Sequence, residues 1–168
     1  MKNIKVEKIT LNVGAGKEQS VLKKGLKLIK NLTGKDPVQT ITKKRIPTWG
    51  LRPGLPVGCM LTLRGKEATE LLKRLFNAKS NTLKPTQFDK EGSFGFGIPE
   101  YIDILGAKYD PEIGMMGLEV YVTLVRPGFR IRKKRIRPSS VGKKHRISRE
   151  EAIEFVKKEF NVKIGDES

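Results

Sequence analysis

Apolar residues recur along the chain with two periods. Period two marks residues 8–13, where Ile9, Leu11 and Val13 point one way and Lys8, Thr10 and Asn12 the other. Ile4 and Val6 are out of phase with that set, which predicts a bulge or bend near Glu7, and Gly14 and Gly16 end the strand. Residues 57–64 alternate in the same way, with Val57, Cys59, Leu61 and Leu63 inward and Met60, Thr62 and Arg64 outward. Phe94, Phe96 and Ile98 alternate with Gly95 and Gly97, and residues 118–125 carry the regular alternation of a central strand. Residues 38–42 form a short β-branched strand.

The helical period marks three other stretches. Residues 19–33 place Val21, Leu22, Leu26, Ile29 and Leu32 in one stripe, and Gly34 is a suitable stop. Residues 66–77 repeat Ala68, Leu71, Leu72, Leu75 and Phe76 on one face. Ser148 with Glu151 three residues on is a capping box, opening a helix whose apolar face is Ala152, Ile153, Val156 and Phe160. Between these elements, residues 43–56 are a long loop rich in Pro and Gly, 101–105 are a short strand or irregular, 110–117 are turn-rich, and 130–147 have no apolar period. The order predicts an α+β fold: a single domain over 1–168, with a mostly antiparallel sheet, helices packed on one face and an exposed polar face.

Charge adds a partner to that picture. Thirty-five Lys and Arg stand against 18 Asp and Glu, a net charge of +17 that calls for a polyanion. It is segregated: residues 126–149 hold eleven Lys or Arg and no acid, and residues 38–66 hold six and no acid. Between 87 and 125 seven acids face two lysines. A chain selected only for solubility mixes its signs, so the two basic stretches read as nucleic-acid contacts. No apolar run reaches the roughly 18 residues that a membrane-spanning helix needs, and residues 1–13 do not read as a signal peptide, so no membrane partner and a cytoplasmic location are expected. Cys59, the one cysteine, reads as a small core residue rather than a reactive thiol.

Catalytic and metal-binding patterns are missing. Cys59 and His145 are too few for a zinc site. Residues 12–18 look like a phosphate loop, but Leu11 and Glu18 occupy positions where such a loop needs Gly and Ser or Thr; at most the turn binds one phosphate at the helix N-terminus. His145, between Lys144 and Arg146, reads as an RNA contact rather than a general base. No cofactor is expected, and no enzyme.

Several runs are specific. Residues 8–16 (Lys-Ile-Thr-Leu-Asn-Val-Gly-Ala-Gly), 50–59 (Gly-Leu-Arg-Pro-Gly-Leu-Pro-Val-Gly-Cys) and 61–65 (Leu-Thr-Leu-Arg-Gly) closely resemble the family of the universal large-subunit ribosomal protein number five. Residues 94–98, 108–114 and the basic stretch from Arg126 to His145 resemble its archaeal and eukaryotic branch, and the likeness covers nearly the whole chain. The resemblance implies a structural constituent of the large ribosomal subunit that binds 5S rRNA in the central protuberance, beside neighbouring ribosomal proteins. It implies 5S rRNA contacts at Asn12, Gln39, Thr40, Thr62 and Arg64, of which Asn12, Thr62 and Arg64 already fall on polar faces by alternation. It implies contact with large-subunit rRNA along 126–149, through Arg130, Arg132, Lys133, Lys134, Arg135, Arg137, Lys143, Lys144, His145 and Arg146. The loop 45–56 matches the part of the family that reaches P-site tRNA, through Arg45, Trp49, Gly50, Arg52, Pro53 and Gly54. Its tip is expected to be mobile, and Trp49 to pack the loop base rather than stack on a nucleobase. The alternatives are a basic RNA-processing enzyme, which needs a cluster of acids on the polar face, and a non-specific nucleic-acid-binding protein, which needs equal affinity for any duplex.

Overall fold

The alternating stretches become strands and the 3.6-period stretches become helices. The computed structural model describes residues 1–165. In chain order its elements are β1 (Lys5–Gly14), α1 (Gln19–Thr33), β2 (Val38–Ile41), β3 (Pro56–Leu63), α2 (Lys66–Ala78), β4 (Thr82–Leu83), β5 (Phe94–Ile98), β6 (Leu118–Val125), α3 (Arg130–Lys133), α4 (Arg149–Phe160) and β7 (Lys163–Ile164). The architecture is α+β, with an antiparallel five-stranded sheet in the order β2-β3-β1-β6-β5. The short β4 and β7 form a separate parallel pair. Among the described residues no helix is long and apolar enough to cross a membrane.

The chain folds as two compact units. Among the described residues, one comprises Met1–Ile9, Leu63–Phe96 and 121–165; the other comprises Thr10–Thr62 and Gly97–Val120. In the second unit, α1 lies on the apolar side of the sheet. Its buried stripe runs through Leu22, Gly25, Leu28, Ile29 and Leu32, rotated from the expected one to include Gly25 and Leu28. Gly25 explains the rotation: a Cβ there would lie 3.0 Å from both Cys59 Sγ and Val13 Cγ1, so its bare backbone lets the helix settle on β1 and β3. Cys59 is fully buried beneath it, and burial pushes its thiol up to about 11, which suits a core residue rather than a nucleophile. Lys27 of α1 reaches Asp110 at 2.7 Å and Glu112 at 2.5 Å, fastening the turn before β6 to the helix.

In the first unit an aromatic cluster forms the core. Phe76 of α2 stacks on Phe94 and Phe96 of β5, with ring centroids 6.2 and 5.4 Å away, and Phe160 of α4 meets Phe76 edge-on at 5.3 Å. Helix α4 opens with the capping box read from the sequence: Ser148 Oγ accepts from the Glu151 amide at 3.3 Å and Glu151 accepts from the Ser148 amide at 3.0 Å. Strand β1 runs continuously from Lys5 to Gly14; the burial alternation that holds from Ile9 to Val13 is lost before it, where Val6, Glu7 and Lys8 are all half-buried.

Candidate RNA-binding surfaces

The second unit presents a polar sheet surface. The buried set of β1 is Ile9, Leu11 and Val13; Thr10 and Asn12 lie between them on the opposite side. Thr62 and Met60 are exposed on β3, and the Thr10 and Thr62 hydroxyls lie 3.5 Å apart. Asn12 Nδ2 donates to the Glu119 carboxylate of β6 at 3.1 Å, which fixes the side-chain amide in one orientation. The β2–β3 register sets Val38 opposite Met60, Gln39 opposite Cys59 and Thr40 opposite Gly58. Opposed residues in an antiparallel pair share a face. Thr40 therefore stands with Met60 and Thr62 on the polar side, whereas Gln39 stands on the side of Cys59, at its exposed margin. The register thus separates two residues that the resemblance groups together.

The β2–β3 connection is more ordered than a mobile loop. Thr42 N donates to Leu55 O and Gly54 N to Thr42 O, both at 2.9 Å. Ile46 and Leu51 exchange both backbone bonds at 3.0 Å, closing a small hairpin whose tip is a tight turn at Pro47–Trp49. Gly50 ends the turn at φ 62 and Gly54 sits at φ 87, values that a side chain disfavours. Leu51 is the residue that packs inward, being 8% exposed, whereas Trp49 is 65% exposed. Trp49 was expected to pack the loop base; it stands outward instead, because Leu51 occupies the inner position and the tight turn aims the indole away. Arg45 and Arg52 flank it, also exposed.

The turn after β1 is folded onto β3 rather than opened as a phosphate loop. Ala15 N and Gly16 N both donate to Val57 O, at 2.8 and 3.1 Å, and the residue capping α1 is Glu18. The loop amides are therefore turned onto β3, and an acid stands at the N-cap, where it disfavours an anion.

In the first unit the basic segment has its own scaffold. Val141 and Ile147 are buried anchors. Arg126, first of the basic run, is 8% exposed: it donates to Glu151 at 2.7 Å and to the carbonyls of Arg146 and His145 at 3.3 and 3.5 Å. It is therefore a structural tie, not the RNA contact that counting charges suggested. Ser148 and then Arg126 hold the Glu151 carboxyl below its ordinary value. Arg149, at the far end of the run, is likewise engaged, on Pro85 O. Arg132 pairs with Glu91 at 3.2 Å, and Lys133 pairs with Glu7, which also takes Arg64 at 3.3 Å. Partial burial pushes the Glu7 carboxyl up, but Lys133 and Arg64 outweigh it and the net shift is downward. His145 Nε2 lies 2.9 Å from Pro127 O, so that nitrogen carries the hydrogen, and the ring packs 5.7 Å from Phe129. Arg146 Nε donates to Val141 O at 3.3 Å. Arg130, Lys134, Arg135, Arg137, Lys143 and Lys144 are exposed.

Comparison with known proteins gives this arrangement a family. The profile described as ribosomal protein L5 matches residues 1–52, and the profile of the ribosomal L5 family C-terminus matches residues 56–155. The chain belongs to the ribosomal L5 family. It is 49% identical to the large ribosomal subunit protein uL5 of Nanoarchaeum equitans, over 98% of this chain and 97% of that one. The uL5 proteins of Sulfurisphaera tokodaii and Nitrosopumilus maritimus are 45% and 44% identical, over 98% of this chain and 93% and 95% of theirs. The two L5 profiles meet within the β2–β3 hairpin, the element that carries Trp49.

Three residues beside these L5-family surfaces escaped the sequence reading. Glu119 is a carboxylate on the polar side, brought to Asn12 by strand neighbours 107 residues apart. Glu7 and Arg126 are the docking points of the basic segment. Glu7 had one available sign, a charge out of phase in a strand; Arg126 had another, its place at the strand end. Among the described residues, no three His, Cys, Asp or Glu side chains are grouped to hold a metal ion, and no acid cluster of the kind the RNA-processing reading requires stands on the polar side.

Proposed function

We propose that this chain is a structural component of the large ribosomal subunit that binds 5S rRNA through the polar sheet surface of its second unit, contacts large-subunit rRNA through the basic segment, and touches P-site tRNA through the β2–β3 hairpin. It acts in the cytoplasm, within the ribosome, with neighbouring ribosomal proteins, and catalyses no reaction. The observation that carries the reading is a hydrogen-bonding surface on Thr10, Asn12, Thr40 and Thr62, left on the side of the sheet away from α1, in a chain of the L5 family. Folded RNA is recognised by contour, 2′-hydroxyls and exposed bases, and short polar side chains on a stiff sheet suit that task. Charge draws the RNA in; the sheet surface sets which RNA stays.

Binding to 5S rRNA and to an equal-length control RNA tests the proposal. Asn12→Ala and Thr62→Ala are each expected to weaken 5S binding several-fold, about 1 kcal/mol for a lost hydrogen bond, with an unchanged circular dichroism spectrum. Wild-type affinity in both variants removes the sheet surface from the reading.

A further inference from the structure

The first unit contains a groove of about 630 Å³ between the basic segment, the start of β1 and the end of β6. We infer that this groove receives one extruded nucleotide of the rRNA that runs along the basic segment, its base against the groove wall and its phosphate on Lys8 and Arg146. The inference deepens the proposed rRNA contact and rests on it.

Size comes first. The volume is in the range of sites that enclose a small molecule, too small for a helix or a strand pair. Chemistry comes second. Phe129 offers an aromatic wall, and Ser93, Thr123 and Ser140 offer hydroxyls that both donate and accept, as a base edge requires. Charge comes third. Lys8, Arg132, Lys133 and Arg146 line the groove with only Glu7 and Glu91 as acids, and those carboxylates are occupied by Lys133 and Arg132. The surplus is two positive charges, with Lys8 holding no carboxylate among the described residues and the Arg146 guanidinium donating to the uncharged Val141 carbonyl. That surplus matches a phosphate.

The same ion pairs make the groove a fixed shape. They fasten the single turn α3 to Glu7 and Glu91, while buried Val141 and Ile147 hold the other side. The ordering cost is met on folding, so a nucleotide meets a preformed cavity. The exposed row of Arg130, Lys134, Arg135, Arg137, Lys143 and Lys144 supplies the track that brings RNA alongside.

The test uses the full chain, labelled with ¹⁵N, titrated with the four nucleoside 5′-monophosphates. Ribose 5-phosphate, inorganic phosphate, the free nucleosides and a tetraglutamate peptide are run in parallel. The monophosphates are expected to shift the amides of Ser93, Thr123 and Ser140 saturably, at concentrations about tenfold or more below those of any partial probe, the worth of one stacked base. Equal response to inorganic phosphate, or a stronger one to tetraglutamate, overturns the inference, the latter in favour of an acidic protein segment. A Ser140→Trp variant, which fills the groove, should lose these shifts and bind protein-free large-subunit rRNA about tenfold more weakly. Gln at Lys134, Arg135 and Arg137 tests the underlying contact separately. If that variant binds rRNA more weakly while Ser140→Trp does not, the groove fails and the rRNA contact stands; if neither weakens binding, both are wrong.

Discussion

Arg126 shows how far a single residue departs from its place in a charge count. It heads a run of eleven cations, yet it is buried and satisfied by Glu151 and two carbonyls, with only Nε lacking a partner. Arg126→Met removes those bonds and is expected to cost about 2 kcal/mol of stability, toward the low end for charged hydrogen bonds because Glu151 is partly solvated. A denaturant midpoint checks this, and an unchanged midpoint means the tie is idle. Glu7 makes a pH prediction. Its folded carboxyl titrates below the ordinary 4.5. A depressed carboxylate contributes stability that is complete above the unfolded value and disappears as pH falls through the folded one. The Glu7 contribution is therefore intact at neutral pH and begins to fall only below the ordinary 4.5, disappearing as the lowered folded carboxyl protonates. Glu7→Gln should lower stability at pH 7 and narrow the gap between pH 7 and pH 3. An equal gap in both proteins contradicts the ion-pair account.

Among the elements, the β2–β3 hairpin carries the clearest separation of fold from function. Leu51 packs inward and Trp49 outward, so the two positions should respond differently. Leu51→Ala removes a buried side chain and should cost about 2 kcal/mol, the low end for such truncations since the hairpin can relax. Trp49→Ala should leave stability and 5S binding unchanged while weakening tRNA contact in assembled subunits, read by tRNA footprinting. Loss of 5S binding with Trp49→Ala reassigns the hairpin. These elements also show what period and spacing can convey. Helix α1 runs over Gln19–Thr33, as its stripe predicted, and the Ser148–Glu151 box was legible in four letters of sequence. Other features depend on pairing between distant segments and leave no local mark. The two-residue strands β4 and β7 exist only because Asn81 and Leu83 meet Lys163 and Gly165. The faces of Gln39 and Thr40 follow from a register against Cys59 and Gly58, not from a four-residue pattern. Order in the hairpin follows from backbone bonds between Thr42, Gly54 and Leu55, where Pro and Gly content alone suggested a loose tip.

On the scale of the whole molecule, the net charge of +17 and the polar sheet surface make different contributions, and salt can separate them. Charge acts on any nucleic acid by releasing counterions, so it sets how steeply affinity falls with salt. The hydrogen-bonding surface releases none, so it sets the ratio between 5S rRNA and a control at each salt concentration. Of the ten side chains that the resemblance placed on rRNA along the basic segment, Arg132 and Lys133 spend their charge on Glu91 and Glu7. Setting aside His145 and Arg146, whose side chains bond to backbone carbonyls, six exposed cations remain: Arg130, Lys134, Arg135, Arg137, Lys143 and Lys144. If each meets one duplex phosphate, log K against log salt has a slope of about −5 from this segment. Replacing Lys134, Arg135 and Arg137 by Gln should make that slope shallower by about 3 for 5S-containing and control RNA alike. Asn12→Ala should do the opposite, leaving the slope and lowering only the 5S preference. A slope that changes with Asn12, or a preference that vanishes with the three cations while their slope contribution persists, would mean that capture and selection are not divided between the two surfaces.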